Sequence, residues 1–316
     1  MLSRLSQRQV AIRLPLGMPV SPLWKGSMDS SAEIFSAYRR RLFGIAYRML
    51  GSRADAEDIL QETYLRWLDS HTSEPRSLEA WLVTVVTRLC IDRLRSAKAE
   101  REVYTGLWLP EPLVAPGPLS PERTLEFASD LSIAFLLVLE RLAPDERAAF
   151  LLHEVFDFDY AEISRILGKT PATCRQIVHR AKQRVQDDRP RFTVSREAHR
   201  QLLEKFLAAA SAGRREQIMR LLADDVRVTT DGGGKVSSFR KVVQGADRVA
   251  RFYAGLSRKF AGRSGYRLAE INGAPGLLRY LDGQVESAQA FVMHGTQIGA
   301  IYIVRNPDKL QGIVPG

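Results

Sequence analysis

The sequence predicts a multi-domain chain, with two all-α helical domains followed by an α+β domain built on a curved antiparallel sheet. Three observations carry this expectation. Apolar residues recur at helical spacing through two blocks, from about residue 30 to 101 and from 121 to 189. Between them prolines stand at 110, 112, 116, 118 and 121, which disfavours helix and favours an extended, stiff connector. Beyond Pro190, short alternating segments and turn signals replace the helical period.

Residues 1–28 show no periodicity, contain Pro15, Pro19 and Pro22, and read as a disordered leader, with Met28 an equally good start. The first helical domain is expected over 29–104. Its apolar stripes are Phe35, Leu42, Ile45 and Met49, then Ile59, Thr63, Tyr64 and Trp67, then Trp81, Val85 and Leu89. Ser52 with Asp55 signals the cap of the second helix, and Pro75 separates it from the third. The connector takes 105–122 and should hold the two helical domains apart. Ser120-Pro121-Glu122 then reads as N-cap and first turn of the second helical domain, 123–190. The α+β domain, 195–316, should open with helices near 197–211 and 214–223 and add another near 245–260. Its strands are expected near 226–229, 266–271, 277–281, 285–292 and 298–304, with hairpin turns at Asp282-Gly283 and His294-Gly295.

Composition narrows the function classes. A 45% hydrophobic, 26% charged chain is typical of a soluble globular protein, and no apolar run approaches the roughly 20 residues of a membrane span. A cytoplasmic protein without membrane contact is therefore expected. Cys90 and Cys174 stand alone, so neither a disulfide framework nor a metal site is predicted. The net charge of +10 is unevenly spread: +4 over 1–28, −1 over 29–196 and +7 over 197–316. A nucleic-acid surface in the middle of the chain must therefore be a local basic face.

Two such faces occur. Between 88 and 101 there are five basic residues and two acids, following Trp81; Arg88, Arg95 and Arg101 cannot all point into a core, and Arg93 and Lys98 extend the set. Phosphate neutralisation with stacking of an unpaired base is the chemistry this suits. The sharper signal is residues 160–184: a helix, a tight turn at Gly168, and a new helix capped by Thr170 with Pro171 at its first position. Ile163, Leu167, Cys174, Val178 and Ala181 form the seam. That leaves Thr173, Arg175, Gln176, His179, Arg180 and Lys182 for DNA, where Arg and Gln pair with guanine and adenine edges in the major groove. An acidic stripe of Asp58, Gln61 and Glu62, with Leu65, lies on the second helix; on an isolated helix such a stripe is usually only a solvated face.

Taken together, residues 29–190 resemble the extracytoplasmic-function (ECF) RNA polymerase sigma factors. Leu42-Phe-Gly-Ile-Ala-Tyr-Arg-Met-Leu-Gly51, Asp55-Ala-Glu-Asp58 and Gln61-Glu62 look like region two, Ala80-Trp81-Leu with Arg88 and Asp92-Arg93-Leu-Arg95 like its promoter-melting part, and residues 160–182 like region four. The resemblance implies that Asp58, Gln61 and Glu62 bind the clamp helices of the polymerase β′ subunit and that region four meets the β flap. It further implies that helix 80–101 opens the −10 element by capturing a flipped base, and that helix 171–184 reads the −35 element. Ile177 departs from the polar or basic residue usual at its position.

The last 120 residues resemble the cone-shaped SnoaL-like domain found in one subgroup of these factors. That subgroup shares Trp108-Leu109-Pro110-Glu111-Pro112, Asp231-Gly232-Gly233-Gly-Lys235 and Asn306-Pro307-Asp308-Lys309-Leu310. Trp108 and Leu109 are apolar residues in a stiff connector and need a surface, which the Asp231 loop and the Asn306 tail would supply. A regulatory contact in cis follows, and a small ligand held in the cone would bias it only through different affinities for two arrangements. Catalysis is not expected, and no cofactor is implied. Of the polar candidates Asp231, Asp282, Glu286 and His294, Asp282 and His294 read as turn residues, and Asp231 sits in a glycine-rich loop expected to be mobile. The phosphate-loop reading of Gly232–Lys235 lacks the required spacing.

Overall fold

The computed structural model describes residues 28–70, 77–102, 104–114, 131–188 and 195–313. The expected leader, except Met28, and the connector beyond residue 114 lie outside the described residues.

The first block is α1 (Met28–Leu50), α2 (Arg53–Asp69) and α3 (Leu78–Glu102). Gly51, at φ +67°, ends α1, and Ser52 starts α2 by accepting a hydrogen bond from the Asp55 amide at 3.2 Å. The second block is α4 (Ile133–Leu139), α5 (Pro144–Glu154), α6 (Tyr160–Leu167) and α7 (Pro171–Asp188). Asp159 and Glu162 form a reciprocal capping box on α6; Gly168 turns the chain at φ +65°, and Thr170 Oγ1 accepts from the Thr173 amide at 3.2 Å. This is the expected helix-turn-helix. Ile163, Cys174, Val178 and Ala181 are buried in its seam as expected, Leu167 packs on it partly buried, and Ile166 joins them.

Contrary to the expectation of helical domains held apart, the two blocks share one apolar core. Leu42, Ile45, Leu82 and Val86 lie in the same buried cluster as Leu136, Phe150, Leu151 and Ile163. Polar contacts cross the seam as well: Arg147, 3% exposed, donates to the Met49 carbonyl at 2.5 Å and pairs with Glu140 at 2.8 Å.

The C-terminal part runs α8 (Arg196–Ser211), α9 (Arg215–Arg220), β1 (Leu222–Asp231), β2 (Val243–Gln244), α10 (Ala246–Lys259), β3 (Ser264–Ile271), β4 (Ala274–Leu281), β5 (Gln284–His294), β6 (Gln297–Val304) and α11 (Pro307–Leu310). The sheet order is β2-β1-β6-β5-β4-β3. All pairs are antiparallel except β1 with β6, which run parallel: the chain crosses through α10 to β3 at the far edge and returns through β4 and β5 to β6. Irregularities between Arg279 and Tyr280 and between Val292 and Met293 bend the strands. Asn272-Gly273 and Asp282-Gly283 close two-residue hairpins with positive φ at both residues, as type I′ turns require. At the third hairpin Gly295, not His294, takes the positive φ.

One sheet face packs on α8 and α10 through Leu203, Phe206, Val249, Tyr253, Leu277 and Phe291. The other face buries Leu278, Ala288 and Val304 together with Leu109 of the connector and Ile133 of α4. The α+β domain is thus joined to the helical part through a core of its own.

His199 on α8 is 9% exposed with no hydrogen-bond partner for Nε2 among the described residues; burial, helped by Arg196, depresses its pKa to about 4. The folded state therefore holds His199 neutral, and this stability is present above the unfolded value of about 6.5 and lost as pH falls toward 4. Acidification from pH 7 to 5 should cost about 2 kcal/mol of unfolding free energy from this group. Urea titrations at both pH values should show that slope, and His199→Leu should remove it.

Candidate nucleic-acid interface and interdomain latch

On α2, burial of Ile59, Leu60 and Thr63 turns the opposite stripe outward. Asp58, Gln61, Glu62 and Leu65 are all exposed, Leu65 by 48%. Glu62 pairs with Arg66 one turn on, at 2.8 Å. The stripe is polar and acidic with an exposed leucine at its C-terminal end, suited to a basic partner surface.

The described basic groups of α3 each find partners within the protein. Trp81 is half-buried against the core. Arg93 pairs with Asp55 at 3.0 Å. Arg88 does not face outward: its Nε donates to the Ile166 carbonyl at 3.0 Å and Nη2 to the Arg165 carbonyl at 3.2 Å, so its guanidinium caps the end of α6. Arg95 reaches Asp145 at 2.9 Å. The side chain of Lys98 lies outside the described residues.

On α7, Thr173, Gln176, His179 and Arg180 are exposed as expected for a groove-reading face. Arg175 lies over the Tyr160 ring at 5.1 Å, and Lys182 pairs with Glu154 at 2.7 Å. Ile177 is partly buried and packs on the core, which accounts for an apolar residue there. Acids at the start of α5 gather charge from both blocks: Asp145 takes Arg95 and Lys169, the latter at 3.0 Å, and Glu146 takes Arg184 at 2.7 Å. Phosphates would compete for these same cations.

The three short motifs meet in one place. Asp231 is not in a mobile loop; it ends β1 with 0% exposure. Its Oδ1 accepts from the Tyr104 hydroxyl at 2.6 Å and the Gly233 amide at 3.0 Å, and its Oδ2 accepts from the Leu109 amide at 2.9 Å and Lys309 Nζ at 2.8 Å. Lys309 also donates to the Leu109 carbonyl at 2.5 Å and stands 4.4 Å from the Trp108 ring centroid. Tyr104 is pushed above its ordinary phenol range by burial and by the neighbouring Asp231 carboxylate.

Around this centre, Asn306 Nδ2 donates to the Tyr104 hydroxyl at 3.1 Å, Lys235 pairs with Asp308 at 2.7 Å, and Leu310 packs with Leu109. Pro307 opens the short α11. Gly233, at φ +61°, lies where a Cβ would collide with Asn306, and a Cβ on Gly232 would strike the Val236 carbonyl. All four lone-pair directions of the Asp231 carboxylate are used, so no base is left free there, and Lys235 is held by Asp308.

The connector is gripped throughout its described part, up to residue 114. Pro110, Glu111 and Pro112 are buried. Glu111 reaches back to the start of α2, where Oε2 accepts from the Arg53 amide at 2.8 Å and the Ala54 amide at 3.3 Å. The Tyr47 hydroxyl donates to the Glu111 carbonyl at 2.6 Å and accepts from Asn272 Nδ2 at 2.6 Å. Asn272 also exchanges hydrogen bonds with Leu113, extending β3 by a bridge to the connector. Tyr47, Tyr104 and Asn272 were not among the expected site residues; Asn272-Gly273 is a hairpin signal that would have pointed to one of them. Glu111→Ala should lower stability by about 1 kcal/mol, the scale of a lost helix cap, read in a urea titration.

Residues 34–100 match the family model Sigma-70 region 2, and residues 132–185 match Sigma-70, region 4. Over 291 residues the chain is 39% identical to ECF RNA polymerase sigma factor SigJ of Mycobacterium tuberculosis, covering 88% of this chain and 92% of that one. The chain belongs to the ECF RNA polymerase sigma factors. The crystal structure of SigJ matches it with a TM-score of 0.73 at 35% identity, covering 90% of this chain and 100% of that one. The similarity therefore extends through the α+β domain of this sigma factor. The probable ECF sigma factor SigI of Mycobacterium tuberculosis is 28% identical over 300 residues, covering 92% of this chain and 95% of that one. In sigma-factor terms, α1–α3 are region two and α4–α7 region four. No helix among the described residues is long and apolar enough to cross a membrane.

Proposed function

We propose that this sigma factor binds core RNA polymerase in the cytoplasm and directs initiation at its own set of promoters, under control of its C-terminal domain. Asp58, Gln61 and Glu62 contact the β′ clamp helices, and region four contacts the β flap. Trp81, Arg88, Arg93, Arg95 and Lys98 act at the −10 element. Thr173, Arg175, Gln176, His179, Arg180 and Lys182 act at the −35 element. The domain boundaries follow: region two to residue 104, connector 105–122, region four to 190, regulatory domain from 195. The regulatory domain acts by contact and not by catalysis.

The main support for control in cis is the Asp231 carboxylate, which holds the Leu109 amide and Lys309 together in a buried site. With the connector fixed, region two and region four stay packed on each other, and Arg88 and Arg95 are spent on region four. Promoter binding requires these cations to be released, so the latch and DNA favour different arrangements of one chain. The test is fluorescence transfer between labels on α2 and α7 as core polymerase is added. Separation of the labels on binding, occurring more readily when the latch is cut, supports the reading. Labels that stay close in a complex active on DNA contradict it.

A further inference from the structure

The helix-covered face of the sheet carries a row of buried polar side chains that polymerase and promoter binding leave unused. Arg279 on β4, Ser287 and Gln289 on β5 and Tyr253 on α10 are each no more than 2% exposed. The Tyr253 hydroxyl donates to Gln289 Oε1 at 2.8 Å, and Gln289 Nε2 donates to Ser287 Oγ at 3.2 Å. Arg279 uses Nη1 to reach Glu286 Oε2 at 2.8 Å, and its guanidinium lies 4.9 Å from the Phe260 ring centroid and 6.0 Å from that of Tyr266. Its Nε and Nη2 are buried and have no hydrogen-bond partner among the described residues.

Those two atoms share one edge of the guanidinium, the side-on fork whose parallel N–H groups match the two oxygens of a carboxylate. The local charge is also unbalanced. Glu286 accepts from Arg279 and, at 2.6 Å, from Arg305 Nε, so one carboxylate serves two guanidiniums. A buried cation with two of its three nitrogens unpaired is strongly disfavoured unless an anion or water completes it. Tyr266, pushed up to about 12 chiefly by burial and partly offset by Arg279, remains a neutral phenol beside the fork. The rings of Phe260 and Tyr266 beside the guanidinium suit an acid with an apolar body.

We propose that the C-terminal domain binds a small monocarboxylate on the Nε–Nη2 edge of Arg279, with its apolar end toward Phe260 and Tyr266. The site stands one ion pair from the latch: the Arg305 amide donates to the Asp231 carbonyl at 2.7 Å, and its Nη1 donates to the Ser237 carbonyl. Any effect of occupancy on transcription rests on the latch reading above, whereas binding itself does not, so the two fail separately.

The test is calorimetry on the full chain with acetate, propionate and benzoate at constant ionic strength, with chloride and sulfate as controls. One-to-one saturable binding of at least one carboxylate is expected, weakened at least tenfold in Arg279→Lys, which keeps the charge and loses the fork. Circular dichroism checks that this variant folds. Independently of any variant, the Arg279 Nε–H resonance in the wild-type chain should move on titration with the bound carboxylate. Absence of saturable binding, an unmoved Nε–H resonance, or equal binding by a folded Arg279→Lys would overturn the proposal, the first two meaning that water alone completes the fork. Equal or tighter binding of sulfate would overturn the monocarboxylate assignment.

Discussion

Asp231→Ala should undock the connector from the C-terminal domain and cost about 3–5 kcal/mol, the scale on which one half of a buried ion pair is lost. The substitution removes the carboxylate that neutralises the Lys309 ammonium, 13% exposed beside Trp108 and the Leu109 carbonyl. It also removes the acceptor of the Tyr104 hydroxyl and of the Leu109 and Gly233 amides. Asp231→Asn keeps one acceptor oxygen, enough for Tyr104 and Gly233, but turns an NH2 group toward the Leu109 amide and Lys309 and loses the charge, so it too should undock the connector. The readouts are urea denaturation, protease sensitivity of the connector and the radius of gyration in solution scattering. An Asp231→Ala chain with unchanged scattering and an equally protected connector would show that the latch does not hold the domains together.

Charge reversal on α2 should abolish polymerase binding while leaving the fold intact. Asp58→Lys with Glu62→Lys places two cations beside Gln61 and exposed Leu65 on a stripe that makes no core contact. The Glu62–Arg66 pair forfeited in the process is an exposed one-turn pair worth only a few tenths of a kcal/mol. Loss of a charge pair across an interface typically costs 2–5 kcal/mol, so affinity for core polymerase should fall about a hundredfold or more. Binding of the isolated chain to DNA should not fall. A helix-turn-helix regulator that works without polymerase would be indifferent to these changes in every assay.

Local signals were legible in the sequence, and contacts between distant residues were not. The helix-turn-helix could be read because Gly168, Thr170 and Pro171 mark its turn and cap within four residues, and the seam follows one helical period. The strand pattern gave most of the sheet, but β2, two residues long, has no period to detect. The Trp108, Asp231 and Asn306 motifs were recognisable as a set, yet the burial of Asp231 was missed because three following glycines suggest mobility. Here those glycines permit close approach to Asn306 and the Val236 carbonyl. Glu111 as a cap for α2 joins residues 58 positions apart, and Asn272 meets Tyr47 across 225. Arg88 illustrates the same limit: its basic character is local, while its partner carbonyls lie 77 and 78 residues on. Arg279 gave no signal, since a lone arginine in a strand says nothing about which of its donors will find partners.

Run-off transcription of a library of genomic fragments with core polymerase is the most direct test of a sigma factor restrained by its own C-terminal domain. The intact chain should yield discrete transcripts that require both it and core polymerase, and Asp231→Ala should change their yield several-fold at equal protein concentration. Transcripts that do not depend on the chain, or a yield identical with and without the latch, would contradict the account.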